Sequence, residues 1–189
     1  MKEPEHVELL NLLKQAHGAF KEEDIKKLRS LSDHIIEDAS IIQDDYSISL
    51  AIVIYTLSKI LEKERYSSYP EWDNFYKNCT IKLKKLFLYL EHSNFHKYSY
   101  TLKELLAQIK NLDKKAPSYI EELVNSSKIK KSSNLYGYGL SLGRAANLLG
   151  ISKWELMNYV GNSSISNENI KTISAKDRFN IAKKVFNIK

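Results

Sequence analysis

Residues 141–161, SLGRAANLLGISKWELMNYVG, contain the strongest local structure signals of the chain and predict two short helices joined by a tight turn. Apolar residues at helical spacing predict the first helix over residues 141–149. Gly150 ends this helix, because glycine adopts the left-handed conformation at a helix C-terminus without a penalty from a Cβ atom. Ser152 and Glu155 have the spacing of a capping box, which predicts that the second helix begins there.

Two helices with this turn meet the requirements of a helix-turn-helix. Ala145 and Ala146 are small enough for the helices to approach closely, and Ile151 is placed to fill the corner. In a DNA-binding unit the start of the second helix enters the major groove, where Asn pairs with adenine and Lys with guanine or phosphate. The residues left facing outward there are Lys153, Trp154, Met157 and Asn158.

Two other interpretations of residues 141–161 stay open from the sequence. The segment can be a plain helical hairpin inside an all-α domain, with no ligand of its own. It can also be a protein-protein interaction module, in which Trp154 and Met157 serve as anchors, since large apolar side chains of this kind are common at interface hot spots.

The same stretch resembles the helix-turn-helix of small prokaryotic antitoxin-type proteins of the UPF0175 group, whose motif is similar to SLGRAAELAGLSRWEF. The resemblance covers residues 141–161 only. It implies DNA binding, transcription regulation and pairing with a nuclease toxin of the PIN-domain class. The matching residues are Ser141, Leu142, Gly143, Arg144, Ala145, Ala146, Leu148, Gly150, Ser152, Trp154 and Glu155.

The positive charge of the chain is concentrated in its last third. Residues 1–125 carry 18 Lys and Arg against 20 Asp and Glu, whereas residues 126–189 carry 11 against 3. A basic segment around a helix-turn-helix is the electrostatic footprint of a surface that neutralises phosphates. The predicted phosphate contacts are Ser152, Arg144, Lys128, Lys130 and Lys131.

Helical periodicity extends through the rest of the chain and predicts an all-α protein with no strands and no convincing internal repeat. Residues 1–125 are expected to form a helical bundle that dimerises or binds a partner, with the apolar segment 48–61 at its centre. Residues 126–134 are expected to be a linker. Residues 135–189 are expected to form the helix-turn-helix domain. A last helix that begins near Ser174 is expected to complete its core, or to dock on a partner.

The sequence contains no convincing catalytic motif, and it predicts neither a cofactor nor a metal site. One weak alternative is a ribonuclease: Arg29 and His34, separated by four residues, resemble the motif of helical HEPN-type ribonucleases. In that family the Arg and the His act on an RNA phosphodiester, usually across a dimer. His92 and His96 lie four residues apart, but they have no evident third metal ligand.

The N-terminus lacks the basic and apolar regions of a signal peptide, and no apolar run reaches the ~20 residues of a membrane span. We therefore expect a cytoplasmic protein without membrane contact. The one cysteine, Cys79, falls in a helical pattern and is expected to be a core side chain. The predicted partners are double-stranded DNA, a second copy of the chain and, through the resemblance, a toxin.

Overall fold

The computed structural model describes residues 3–42, 44–63, 66–112 and 117–162, and the regular elements in these ranges are all α-helices. This confirms the all-α prediction for the described part of the chain. The predicted last helix, near Ser174, lies outside the described residues. The helices in chain order are α1 (Glu3–Lys21), α2 (Ile25–Ile42), α3 (Asp45–Leu61), α4 (Trp72–Glu91), α5 (Phe95–Lys110), α6 (Pro117–Gly137), α7 (Leu142–Leu149) and α8 (Lys153–Asn162).

Helix α3 lies at the centre of the structure, as its apolar sequence predicts. It contacts α1, α2, α5, α6 and α7, and its residues from Ile48 to Leu57 are buried apart from Ser49 and Tyr55. The Asp44 side chain caps its first turn by accepting from two backbone N–H groups. The hydroxyl of Ser32 donates to the Ala51 carbonyl oxygen at 2.6 Å, so this buried polar group is satisfied.

The α1–α2 and α4–α5 hairpins are built on the same turn, 70 residues apart. Glu23 and Ser93 adopt left-handed backbone conformations, with φ of 53° and 52°. The next residue caps the following helix in each case, Asp24 to the Lys27 N–H at 2.9 Å and Asn94 to the Lys97 N–H at 3.1 Å. This repeated geometry escaped the sequence analysis, because the matching positions share capping and apolar character rather than residue identity.

Two predicted helix ends are wrong. Gly18 predicts the end of the first helix, but α1 continues to Lys21, because Ala19 and Phe20 are fully buried and extend its apolar face. The spacing of Thr101 and Glu104 predicts a helix start, but α5 already begins at Phe95. The Asn94 cap sets that start, and Thr101 is a buried residue within the helix.

The predicted linker, residues 126–134, is helical. It forms the second half of α6, which runs without interruption from Pro117 to Gly137. The polar composition of this stretch suggests a loop, but several of its polar side chains face the core. Ser127, Lys131, Ser132 and Ser133 are all buried.

Helix α6 is shared between the two regions that the sequence treats as separate domains. It contacts α2, α3 and α5 of the N-terminal helices, and it also contacts α7 and α8. The Ser132 hydroxyl donates to the Ala145 carbonyl oxygen at 3.1 Å, which ties α6 to α7. Helices α7 and α8 therefore pack directly on α6 rather than following a linker.

Candidate nucleic-acid interface

The turn between α7 and α8 is built as its sequence predicts. Ser141 caps α7 by accepting from the Arg144 N–H at 3.2 Å. Gly150 follows the helix in the left-handed conformation, with φ of 61°. The Ile151 N–H then donates to the Ala146 carbonyl oxygen at 3.1 Å, which closes the turn.

The predicted capping box at the start of α8 is confirmed. The Ser152 N–H donates to a Glu155 carboxylate oxygen at 2.9 Å, and the Glu155 N–H donates to the Ser152 hydroxyl at 3.0 Å. The bond from the Ser152 backbone, followed by that from its side chain, lowers the pKa of the Glu155 carboxyl group. Both contacts fix the first turn of α8.

A small apolar core holds α7 and α8 against α6. Ala145, Ala146 and Leu149 of α7 are buried, and Leu156 of α8 is fully buried beneath them. Leu135 of α6 is also fully buried. The close approach of helices that the two alanines were expected to permit is consistent with their near-complete burial.

The residues predicted to face outward on α8 are exposed. Trp154 has 71% of its surface accessible and Met157 has 41%, and Lys153 and Asn158 are exposed beside them. Ser152 is exposed at the start of the same helix. The first two turns of α8 therefore present a mixed polar and apolar surface, and the roles of these residues stay predictions.

Three of the other predicted phosphate contacts lie on or next to this unit. Arg144 is exposed in the first turn of α7. Lys128 and Lys130 are half-buried on α6, so only part of each side chain reaches the surface. Of these three, Arg144 is the most accessible to a nucleic-acid backbone.

Lys131 does not fit the predicted phosphate contact. Its side chain is fully buried, and its Nζ lies 2.9 Å from a carboxylate oxygen of Asp33 and 4.4 Å from the centre of the Tyr55 ring. The Asn134 amide donates to the same Asp33 oxygen at 2.7 Å. Burial lowers the pKa of Lys131 to about 8, with Asp33 acting in the opposite direction.

The group that holds Lys131 is not evident from the sequence. Asp33 lies in α2, 98 residues away in the chain, and Tyr55 lies in α3. No local pattern points to this arrangement, because it arises only when α6 packs between α2 and α3. The lysine joins α6 to the bundle instead of serving the surface.

Much of the predicted basic footprint lies outside the described residues. Of the eleven Lys and Arg residues in 126–189, six fall within residues 163–189. The described part of this region holds Lys128, Lys130, Lys131, Arg144 and Lys153. Since Lys131 is buried, four of these five basic side chains contribute to the surface.

Arg29 and His34, the alternative ribonuclease pair, have different neighbours. Arg29 forms an ion pair with Glu62 at the end of α3. His34 is exposed, and its Nε2 lies 3.9 Å from carboxylate oxygens of both Glu8 and Asp38. The contacts of the two side chains therefore do not bring them together at one site within the chain.

Cys79 is buried in α4, as predicted for a core side chain, and burial raises the pKa of its thiol. His92 places its Nδ1 2.8 Å from the Leu88 carbonyl oxygen at the end of α4, while His96 is exposed on α5. Among the helices that the structure describes, none is both long enough and apolar enough to cross a membrane.

Comparisons with known proteins give no identification. No protein-family model, no curated protein and no solved structure matches the chain. The resemblance of residues 141–161 to the UPF0175 group therefore stays a prediction.

Proposed function

We propose that the protein binds double-stranded DNA in a sequence-dependent manner through α7 and α8, as a transcriptional regulator or an antitoxin-like component. The observation that carries the proposal is a helix with a capped and fixed start whose first two turns are exposed. Its inner side is held by the fully buried Leu156, while Lys153 and Asn158 face solvent. A recognition helix needs this combination of rigidity and exposure.

The side chains on this surface have the chemistry of base and phosphate contacts. Asn158 would pair with adenine in the major groove, and Lys153 would contact guanine or phosphate. Trp154 and Met157 would add apolar contacts with base edges. Ser152, Arg144, Lys128 and Lys130 would contact the sugar-phosphate backbone, which positions a protein on DNA without reading its sequence.

A homodimer is part of the proposal. One helix-turn-helix reads few bases, and a symmetric pair doubles the site and its affinity. The N-terminal helices would supply the dimer contact or, following the resemblance, would bind a toxin of the PIN-domain class.

The test is fluorescence anisotropy with the full chain, first on a random duplex pool and then on sequences selected from it. Binding should fall steeply with salt, because each neutralised phosphate adds about 0.9 to the slope of log K against log salt. Lys153→Ala and Asn158→Ala together should weaken binding to the selected site about tenfold or more. Arg144→Ala should instead reduce the salt slope by about 1.

Lys85→Ala is the matched control, because Lys85 is exposed on α4 and this helix contacts neither α7 nor α8. Its affinity for the selected duplex should equal that of the unmodified chain. The proposal is overturned if no sequence is enriched, or if the double variant on α8 binds the selected duplex with unchanged affinity.

A second function, docking of a protein on the same helix, is favoured by one observation. Trp154 is the most exposed aromatic side chain among the described residues, and Met157 lies one turn further along α8. Exposed aromatic residues next to flexible apolar ones are typical of interface hot spots. Absence of DNA binding at low salt, with loss of a co-purifying protein in Trp154→Ala, would support this function over DNA binding.

A further inference from the structure

Two cavities meet along α5, and we call them together the α5 groove. The larger, of about 380 Å³, is bounded by α3, α5, α6 and α7, and the smaller, of about 340 Å³, by α3 and α5. They share Ser49, Lys103 and Leu106, so the groove is continuous. Each cavity by itself has a volume within the roughly 300–1,000 Å³ that is typical of small-molecule sites.

The floor of the larger cavity is apolar. Ile52, Val124 and Leu149 are buried residues of the core that line it, and Leu106 and Leu148 are half-buried beside them. These side chains come from α3, α5, α6 and α7, so the floor is formed by the packed helices themselves. A hydrocarbon group placed here would be removed from water, which is favourable at about 25 cal/mol per Å² of buried apolar surface.

The rim of the same cavity is positively charged. Lys103 and Lys110 lie seven residues apart on α5, about 10 Å along one side of the helix. Lys128 lies opposite on α6. Within the described residues none of the three forms an ion pair with a carboxylate, and the larger cavity has no acidic lining residue. Among the described residues that line the groove, the carboxylate is that of Asp45, and it lines the smaller cavity.

We propose that the α5 groove binds a small amphipathic anion, specifically an aliphatic carboxylate of medium chain length. The hydrocarbon chain would lie on the apolar floor, and the carboxylate would lie among Lys103, Lys110 and Lys128. Three cations that have no acidic partner among the described residues complement one anion and disfavour a cation. Leu148 and Leu149 directly precede Gly150, so the bound chain contacts the helix-turn-helix.

The test is isothermal titration calorimetry of the full chain with decanoate, at concentrations below micelle formation. The expected result is saturable binding of one decanoate per chain, weakened at high salt because Lys103 and Lys110 are exposed and Lys128 is only half-buried. Decanol has the same chain without the charge, and decyltrimethylammonium has the opposite charge. Both should bind about tenfold more weakly or not at all.

Two variants locate the site. Lys103→Glu with Lys110→Glu reverses the charge at exposed positions of the rim and should weaken decanoate binding about tenfold or more. Ala107→Trp at an exposed position of the lining places a large ring over the larger cavity and should abolish binding. Circular dichroism is the control measurement, and it should show that both variants keep their helices.

Lys85→Glu is the matched control, since Lys85 is exposed on α4 and lines neither cavity. It should bind decanoate like the unmodified chain. The proposal is overturned by absence of saturable decanoate binding up to about 1 mM, by equal binding of decanol, or by unchanged binding in the two groove variants. All three outcomes are independent of DNA binding.

Discussion

The α7–α8 pair and α6, the helix on which it packs, differ in how the sequence determines their structures. Both boundaries of α7 and the start of α8 have local causes: the Ser141 cap, the left-handed Gly150 and the Ser152–Glu155 box. In α6 the second half carries serines and lysines without a regular apolar face, yet it is helical. The comparison teaches that local signals define a short helix well, whereas a polar helix depends on its packing partners.

The polar face of α6 is stabilised by partners for three of its buried polar side chains. The Ser127 hydroxyl donates to the Leu123 carbonyl oxygen of its own helix at 2.7 Å, and the Ser132 hydroxyl donates to α7. Lys131 forms an ion pair with Asp33 of α2. Since a buried polar group costs little once it is hydrogen-bonded, these residues tolerate core positions that a periodicity analysis assigns to apolar side chains.

The largest expected effect separates a linker from a helix at residue 126. Ser126 is exposed in the middle of α6, so Ser126→Pro removes a helical hydrogen bond and introduces a clash with the preceding turn. We expect the free energy of unfolding to fall by about 3 kcal/mol, measured by urea denaturation followed by circular dichroism.

The control at the same position is Ser126→Ala, which keeps the backbone N–H and should change stability by less than about 0.5 kcal/mol. If the proline variant unfolds at the same urea concentration as the alanine variant, residues 126–134 form a linker after all, and the comparison between α6 and α7–α8 fails.

The next effect tests whether the α6 ion pair holds the helix in place. Asp33→Ala leaves the fully buried Lys131 ammonium group with the Tyr55 ring alone. The expected loss is about 2 kcal/mol, less than the roughly 3–5 kcal/mol for a pair buried on both sides, because the Asp33 side chain is about half exposed. Urea denaturation measures it.

A second substitution makes this test specific. In Asp33→Ala with Lys131→Met the unpaired charge is gone, so most of the lost stability should return. Glu37→Ala, an exposed carboxylate on the same helix, is the matched control and should change stability by less than about 0.5 kcal/mol. Equal stability of Asp33→Ala and Glu37→Ala would show that the pair does not support α6.

The pH dependence of stability gives a smaller effect. The pKa of Lys131 is about 8 in the folded chain and 10.5 in the unfolded chain. Between these two pH values the unfolded state therefore binds more protons than the folded state. The stability contributed by this group therefore rises with pH. The unfolding free energy of the unmodified chain, minus that of Lys131→Met, should increase by about 1 kcal/mol from pH 8 to pH 9.

The measurement is urea denaturation of both proteins at each pH. Tyr55 and Asp33 lie next to Lys131, and the charge of Lys130 also lowers its pKa. Burial raises the pKa of the Tyr55 phenol from its usual value, which makes its deprotonation less favourable in the chosen range. A difference that is constant or falls between pH 8 and pH 9 would contradict the lowered pKa of Lys131.

Most of the fold was predictable from the sequence, and the exceptions have physical causes. The helical class, the central position of α3 and the boundaries of α7 follow from periodicity and caps. The predicted start of α5 is wrong because the sequence contains two capping patterns there. The cap at Asn94 comes before the pattern at Thr101 and sets the start of the helix. Local spacing does not say which of two caps the tertiary packing selects.

The candidate interface was predictable at the level of exposure but not of charge. Lys153, Trp154 and Met157 face solvent as the helical spacing indicates, because their positions follow from the buried Leu156. Lys131 was assigned to phosphate binding from composition alone. Its burial depends on Asp33, which is distant in sequence, and such a pairing is invisible to local analysis.

The last prediction concerns the cap of α8, with an expected effect similar to that of the pH change. Ser152→Ala removes the hydroxyl that accepts from the Glu155 N–H, which should lower the free energy of unfolding by about 1 kcal/mol. Because α8 packs on α6 and α7 through Leu156, the helix should remain formed, and the circular dichroism spectrum should not change.

Ser126→Ala again serves as the control, since the Ser126 hydroxyl donates to a carbonyl oxygen of its own helix. If Ser152→Ala costs as much as Ser126→Pro, α8 depends on its local cap for folding. If it costs nothing, packing alone fixes α8, and the contrast with α6 disappears.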